Sequence, residues 1–370
     1  MFIGSLLVIR MLHRLTPKRC CPEYGYLKMT LPSIQLSWLT IASLLLITLS
    51  FSGCKKPGKP VASFYYWKTT FDISEKEKDA IKDNNLSEIY VRYFDIILKD
   101  KDPVPLSPIH FKNIPEINII PVIFIKNDVF LQSSTDLNIL AGKTWKLIGE
   151  ISNHNNIRYN EIQLDCDWSI KSRERYFQFI GLLNAKSSKK ISATIRLHQI
   201  KYYRDTGVPP VDKGVLMYYN MGRIAPDTLN SVYDRSIALN YVKSLNQYPL
   251  SLNIALPIFS WAVQIRDNKV IDLVNKVDKN SFISDSTFSF NGVNIFIVKE
   301  NILKSGYFFK KGDKIKIESV SDDDLKQMCH DLRKNVSSTP EKIVFYDLDA
   351  FNLENYNHGK NFFQKICNLF

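Results

Sequence analysis

Two aspartates separated by one residue end an apolar run, and their chemistry makes them the first candidates for a functional site. In residues 161–168, the alternation of side chains along a strand places Asp165 and Asp167 on one face and the apolar residues on the other. Two carboxylates so close on one buried face repel each other, so one should keep its proton near neutral pH. Such a pair can serve as catalytic acid and base. The alternative is a structural ion pair that fixes Arg92 or Arg196.

Basic side chains on neighbouring predicted strands add to this cluster. Arg196 and His198 end the predicted strand 190–198 on one face. Histidine titrates near neutral pH, so His198 is a third candidate catalytic residue, with a packed histidine bonded to the backbone as the alternative. Arg92 lies on the predicted strand 87–96 and faces inward, either to bind substrate or to balance the charges of the two aspartates.

Aromatic residues are abundant, with 18 Tyr, 22 Phe and 5 Trp. Flat rings stack on the faces of sugars through apolar contact, so a rim of such rings suits a glycan. The predicted substrate-binding set joins rings near predicted strand ends to neighbouring polar residues: Tyr66, Trp67, Arg92, Trp168, Arg196, Tyr218, Tyr219, Asn220 and Trp261. For each ring, a place in the hydrophobic core is the alternative.

The elements that must position these residues alternate between β-rich runs and helical patterns. The predicted strands cover residues 61–71, 87–96, 119–125, 161–168, 190–198, 214–221, 250–259 and 343–348. Helical patterns separate most of these strands. Short charged runs in residues 264–318 break the rhythm and predict an inserted β-subdomain.

Eight strands with intervening helices predict an α/β fold, a (β/α)8 TIM-type barrel with a small insertion between strands 7 and 8. Such a barrel places its active site at the C-terminal ends of the strands, where the candidate residues lie. A doubly wound sheet is the alternative, although no Gly-rich phosphate turn follows the first strand.

Three short motifs resemble the family 18 glycoside hydrolases, the chitinase-like barrels. The stretch from Leu164 to Trp168 resembles the fourth-strand signature of that family. The stretch from Met217 to Gly222 is similar to its Met-x-Tyr-Asp motif, and residues 253–259 resemble its apolar Leu-Pro strand ahead of an inserted α+β region. The resemblance spans roughly residues 61–352 and implies a barrel that acts on or binds a carbohydrate.

The sequence departs from the family at the residues that carry its chemistry. Ser169 stands where the family has its catalytic Glu, Ile162 replaces the first Asp of the motif, and Asn220 replaces the Asp that holds the acetamido group of the substrate. A serine cannot protonate a glycosidic oxygen in place of the Glu. Three functions therefore remain open: a possible glycoside hydrolase that uses Asp165 and Asp167, a catalytically inactive glycan-binding barrel, and an envelope scaffold.

The N-terminal segment predicts export. An uncharged apolar run over residues 38–49 is typical of a secretory signal, and the following Ser-Phe-Ser-Gly-Cys resembles a bacterial lipobox that ends at Cys54. Phe51 stands where the lipobox usually has Leu. The resemblance implies lipidation of Cys54 and a lipid anchor in the cell envelope. An uncleaved N-terminal anchor is the alternative, and Met29 is a plausible true start.

These patterns divide the chain into an upstream segment and signal peptide (1–53), a polar tether (54–60) and a barrel (61–370). The formal net charge is +12, but no basic helix or repeated Lys/Arg block stands out, so no nucleic-acid partner is predicted. Cysteine spacing gives neither a disulfide framework nor a C-x-x-C metal site. Zinc, P-loop and Gly-x-Ser-x-Gly patterns are also missing from the sequence, so we predict no cofactor and no metal.

Overall fold

A computed structural model describes residues 58–356 and 359–370. Eight parallel strands form the barrel, and strands are numbered here in chain order: β1 (Val61–Tyr66), β3 (Glu88–Lys99), β6 (Asn118–Ile125), β7 (Glu161–Asp165), β8 (Lys190–Arg196), β9 (Lys213–Met217), β10 (Leu252–Pro257) and β18 (Lys342–Tyr346). The sheet closes because β1 pairs with both β3 and β18. The predicted (β/α)8 barrel is confirmed.

Helices connect most of the barrel strands and cover their outer face. The helices of the described residues are α1 (Glu75–Asp83), α2 (Asp128–Leu131), α3 (Leu137–His154), α4 (Arg173–Ser187), α5 (Leu197–Lys201), α6 (Tyr203–Thr206), α7 (Arg235–Val242), α8 (Asn280–Ile283), α9 (Asp322–Arg333), α10 (Ala350–Glu354) and α11 (Phe362–Cys367), with a 3-10 turn at Leu245–Gln247. Helix α8 belongs to the insertion between the seventh and eighth barrel strands. Local sequence sets where the longer helices start. Ser74 and Glu77 cap each other at the start of α1, and Ser321 and Asp324 do the same for α9.

Between β3 and β6 the chain replaces a helix with extended segments. Strand β4 (Asp102–Leu106) pairs antiparallel with the end of β3, and β5 (His110–Phe111) pairs with β2 (Thr70–Phe71). These segments cover the barrel on that side, where Phe71 and Phe111 pack with ring centroids 5.0 Å apart.

An antiparallel sheet is inserted between the seventh and eighth barrel strands, as predicted. Its strands are β11 (Trp261–Arg266), β12 (Lys269–Asn275), β13 (Phe288–Phe290), β14 (Ile295–Val298) and β17 (Lys314–Glu318), and a hairpin of β15 (Ile302–Lys304) and β16 (Tyr307–Phe309) extends from it. Phe282, Phe296 and Phe309 form a core for this sheet that is separate from the core of the barrel. The insertion is therefore a small subdomain with its own apolar packing.

Alternation along the barrel strands decides which side chains reach the interior. On β7, Ile162 and Leu164 are fully buried beneath the helix layer, whereas the Gln163 amide oxygen accepts a hydrogen bond from the Tyr65 hydroxyl at 2.7 Å. Asp165 follows Gln163 on the same face and lies at the C-terminal end of the strand. This register carries a carboxylate to the barrel mouth.

Six of the eight predicted strands end earlier than expected, β7, β8 and β9 among them. Strand β7 stops at Asp165, β8 stops at Arg196 and β9 stops at Met217. After Arg196 the chain turns into α5, because the Gln199 side chain accepts a hydrogen bond from the Arg196 backbone N–H at 2.8 Å. His198 therefore lies on a helix and does not end a strand.

Within the described ranges, every helix is too short or too polar to span a bilayer. The predicted signal, the lipobox and Cys54 lie outside the described residues.

Candidate functional site

A cleft of about 460 Å³ opens at the C-terminal ends of the barrel strands. Barrel residues and the inserted sheet both line it: Trp67, Phe124, Asp165, Arg196, Met217, Tyr219, Asn220, Phe259, Ser260, Trp261, Asn275, Lys276, Tyr346, Asp347 and Asn352. Five residues of the predicted substrate-binding set are among them, namely Trp67, Arg196, Tyr219, Asn220 and Trp261. The structure thus brings together residues that lie far apart in the sequence.

Asp165 is buried and held in place in this cleft. The Thr194 hydroxyl donates to Asp165 Oδ1 at 2.6 Å, and Arg196 Nη2 lies 3.6 Å from the same oxygen. Burial lowers the pKa of the Arg196 guanidinium, but the neighbouring Asp165 outweighs burial and raises it. The cleft therefore presents a fixed carboxyl group beside a fixed positive charge.

Asp167 does not join Asp165 on a buried face, so that part of the sequence prediction is wrong. Because β7 ends at Asp165, strand alternation no longer holds two residues later, and 58% of the Asp167 side chain is exposed. Its carboxylate Oδ1 lies 3.8 Å from Nε2 of His198, whose side chain is 47% exposed. These two predicted catalytic residues form a solvated pair outside the cleft lining.

Asp347 is a cleft residue that the sequence reasoning missed. It directly follows β18, and the Asn352 side-chain amide donates to its Oδ1 at 2.6 Å. Burial, followed by the like charge of Asp349, raises the pKa of Asp347 to about 6, although Lys276 and Lys68 oppose the shift. The signal that could have found it is the one that selected Asp165, an acidic residue at the end of an apolar strand.

Asp349 gathers the lysines near Asp347. Its Oδ2 lies 2.8 Å from Nζ of Lys276 and 3.1 Å from Nζ of Lys68. Burial raises the pKa of Asp349, but these two ammonium groups outweigh burial and lower it. Asp349 is therefore ionised while its neighbour Asp347 resists ionisation.

Aromatic rings form one wall of the cleft. The rings of Tyr219 and Tyr346 stack with centroids 5.6 Å apart, and Trp67 packs against Tyr346 at 5.7 Å. Phe259 and Trp261 continue the wall with centroids 5.1 Å apart. The buried hydroxyl of Tyr219 has no hydrogen-bond partner among the described residues. This wall offers flat apolar surface, which suits a ligand with apolar faces.

The inserted sheet fixes the outer end of this wall. The Trp261 indole N–H donates to Oε2 of Glu318 at 2.7 Å, and the Ser231 hydroxyl bonds to the same oxygen. Lys316 Nζ lies 2.7 Å from Glu318 Oε1, and neither side chain is exposed. A buried, paired carboxylate therefore sets the orientation of the Trp261 ring.

Three rings of the predicted binding set lie outside the cleft, so their assignment to it is wrong. The Trp168 indole is buried, donates to the Thr206 carbonyl at 2.9 Å and stacks on Tyr176 of α4. Tyr66 and Tyr218 are also fully buried, in contact with Phe71 and Tyr233 respectively. Tyr66 and Tyr218 directly adjoin the cleft residues Trp67 and Tyr219 in the chain. At each strand end, adjacent side chains face opposite sides of the barrel wall.

Arg92 is buried, but the carboxylate that balances its charge differs from the ones predicted. Its Nε donates to Asp95 Oδ1 at 2.8 Å and its Nη1 donates to the Ser107 carbonyl at 3.0 Å. Asp95 balances its charge, so Arg92 is not the counter-ion of Asp165 or Asp167.

The Ser169 hydroxyl makes structural contacts. Asn127 donates to the Ser169 hydroxyl at 3.4 Å, and the Ser172 hydroxyl lies 3.3 Å from it. Ser169 is not among the residues that line the cleft. In the described part of the chain, no group of three or more His, Cys, Asp or Glu side chains could hold a metal ion.

A larger cavity, of about 640 Å³, lies at the opposite, N-terminal end of the barrel. Its rim carries charges of both signs that pair with each other, such as Lys342 with Glu88 and Lys213 with Glu341. We assign the functional site to the smaller cleft, because that cleft joins unpaired polar atoms, aromatic rings and a carboxyl with a raised pKa at the catalytic end of the fold.

Solved structures with a similar fold include a chitinase and two spore cortex-lytic enzymes. A chitinase from Bacteroides thetaiotaomicron aligns with a TM-score of 0.51 and 10% identity, over 84% of this chain and 96% of that one. The spore cortex-lytic enzyme SleL from Bacillus cereus aligns with a TM-score of 0.50 and 12% identity, over 81% of this chain and 75% of that one. SleL from Bacillus megaterium QM B1551 gives 0.50 and 11%, over 82% and 76%.

At these identities the similarity establishes the (β/α)8 fold alone. No family model matches the chain, and no curated protein matches it either.

Proposed function

We propose that this protein binds a carbohydrate in the cleft at the C-terminal mouth of its barrel. One observation carries the proposal: an aromatic wall faces charged and amide side chains across a single cleft. Trp67, Tyr346 and Trp261 supply flat apolar surface, while Arg196 and Asn220 supply groups that bond to hydroxyls. Sugars have apolar faces and hydroxyl edges, so they fit both halves of this surface.

The fold supports the same proposal. Barrels of this architecture include a chitinase and two spore cortex-lytic enzymes. The motifs around Asp165 and Asn220 resemble those of family 18 glycoside hydrolases, which favours a glycosidase-like protein. Fold alone does not fix the reaction.

A catalytically inactive glycan-binding barrel is the second candidate. Ser169 favours it, because a serine bonded to Ser172 and Asn127 offers no proton to a leaving group. Both candidates require sugar binding, so the first experiment measures binding only.

The experiment screens the full chain against an array of soluble oligosaccharides and measures the best binder by calorimetry. Trp261→Ala should weaken that binding by roughly 2–10-fold, since an aromatic contact is worth about 0.5–1.5 kcal/mol beyond its buried area. Tyr202→Ala is the matched control, because Tyr202 is 50% exposed and lies outside the cleft lining. If no oligosaccharide binds the wild type, the proposal fails and an envelope scaffold becomes the better account.

We also propose that the protein is a lipoprotein of the bacterial cell envelope, anchored through Cys54. The lipobox-like stretch after an apolar run is the support for this localisation. Cys54→Ala should leave an unprocessed precursor or release the protein from the membrane fraction. Phe51→Leu is the control, since it introduces the usual lipobox residue and should preserve processing. Identical size and fractionation of Cys54→Ala and wild type would count against lipidation.

A further inference from the structure

We infer that the cleft is catalytic, with the Asp347 carboxyl as the acid that protonates a glycosidic oxygen and the Asp165 carboxylate as its partner base. This inference rests on the proposed carbohydrate binding and adds a reaction to it. It places the acid directly after the eighth barrel strand, whereas the sequence motifs predict catalytic carboxylates at the end of the fourth.

The placement of Asp347 suits a proton donor. Its Oδ1 is held by the Asn352 amide at 2.6 Å. The side chain lines the cleft next to Tyr346, whose ring belongs to the aromatic wall. The carboxyl group is thus fixed by Asn352 and lies where a ligand in the cleft can reach it.

The surroundings of Asp347 favour its protonated form. Burial and Asp349 raise its pKa to about 6, so half of the carboxyl groups carry a proton near that pH. The charged groups that face it are Asp349 on the same loop, Lys276 from the inserted sheet and Lys68 after β1. Both lysines form ion pairs with Asp349. Their positive charges oppose the rise in the pKa of Asp347 but do not cancel it.

Asp165 is placed to accept a proton from water. Its Oδ1 accepts a hydrogen bond from Thr194 and lies beside the Arg196 guanidinium, so its position in the cleft is fixed. Asp165, Tyr346 and Asp347 all line the same cleft. Two carboxyl groups in one cleft, one of which holds a proton near pH 6, can serve as an acid–base pair.

The reaction that this pair supports is hydrolysis of a glycosidic bond by water. The Asp347 proton passes to the glycosidic oxygen as the bond from that oxygen to the anomeric carbon breaks, and the leaving sugar departs as an alcohol. A water molecule adds to the anomeric carbon and gives one proton to Asp165. That proton returns through solvent to Asp347, so both carboxyl groups regain their starting states.

The test uses the full chain and the oligosaccharide that binds best on the array. Asp347→Asn should lower kcat for that oligosaccharide by roughly 10²–10⁴-fold, the usual contribution of general acid catalysis, with Kd unchanged within a few-fold. The variant should lose less than about 10-fold on a 2,4-dinitrophenyl glycoside of the same sugar, because that leaving group departs without a proton. Asp205→Asn is the matched control, an exposed carboxylate outside the cleft lining whose loss should leave kcat unchanged.

The pH dependence provides a second readout that does not need the asparagine variant. The wild-type kcat should fall as pH rises through about 6, because the acid loses its proton there. Lys276→Gln removes a positive charge that faces Asp347 and should move this fall to higher pH. A fall that stays in place in the Lys276 variant contradicts the assignment.

The outcomes separate this inference from the proposed function. Oligosaccharide binding without cleavage by the wild type overturns the inference and leaves the binding proposal standing. Equal losses of Asp347→Asn on both substrates, with a melting temperature no lower than that of the wild type, also overturn it. The absence of any binding partner on the array overturns both.

Discussion

Replacing Asp347 with asparagine should stabilise the folded protein at neutral pH and have little effect in acid. The pKa of Asp347 rises from 3.8 to about 6 on folding, mainly through burial. One unit of pKa corresponds to about 1.4 kcal/mol, so ionisation of this group costs the fold about 3 kcal/mol at most. Asparagine keeps an oxygen that can accept the Asn352 hydrogen bond and never ionises.

The sign of the pH dependence follows from the raised pKa. At about pH 4 the carboxyl is neutral in the folded chain and little more than half ionised in the unfolded chain, so the penalty is small. As pH rises through about 6 the folded protein must ionise a partly buried carboxyl beside Asp349, and the penalty becomes complete. The advantage of the asparagine variant should therefore appear between these two pH values.

Thermal unfolding of the full chain at about pH 4 and about pH 7.5 measures this difference. We expect the Tm of Asp347→Asn to exceed that of the wild type by on the order of 5 °C at the higher pH and to match it at the lower pH. Asp165→Asn is the matched control. It should lower Tm at neutral pH, because it leaves the Arg196 guanidinium without its counter-ion. A lower Tm for Asp347→Asn at both pH values would refute the reasoning.

Three further substitutions test the assignment of residues to the core, the insertion and the surface. Trp168→Ala should lower the free energy of unfolding by about 3–5 kcal/mol in denaturant titrations, because it empties a fully packed position; a loss below about 1 kcal/mol contradicts that placement. Lys316→Met should cost about 3–5 kcal/mol by the same measurement, since it leaves the Glu318 carboxylate buried without its counter-ion. His198→Ala should change unfolding by less than about 0.5 kcal/mol, because the imidazole is solvated; a larger loss would mean that His198 is packed.

The barrel and its insertion could be predicted from the sequence because their signals are local. Alternating apolar runs identify strands, and the short charged runs after residue 264 break that pattern where the inserted sheet is found. Strand ends are less local. Strand β8 stops at Arg196 because a side chain three residues later caps the following helix, and periodicity does not reveal such a contact.

The cleft was predictable in kind but not residue by residue. Polar groups at strand ends indicated Asp165 and Arg196, and both line the cleft. The burial of Trp168 depends instead on which side of the barrel wall the chain faces after the strand has ended. Tertiary packing decides that direction. The pKa of Asp347 depends on burial, on Asp349 and on Lys276, which follows the distant strand β12, so its value could not be inferred from neighbours in sequence.

The attachment of the inserted sheet has a consequence for the rate of ligand binding. Lys316 Nζ donates to the carbonyls of Ala225 and Leu229 at 2.9 Å each, which joins β17 to the loop after β9 through a side chain without solvent exposure. A wall fastened in this way is already in place before a ligand arrives, unlike a lid whose closure limits turnover. Association should then be a single kinetic phase with a rate linear in ligand concentration, and no closing equilibrium should reduce the observed affinity.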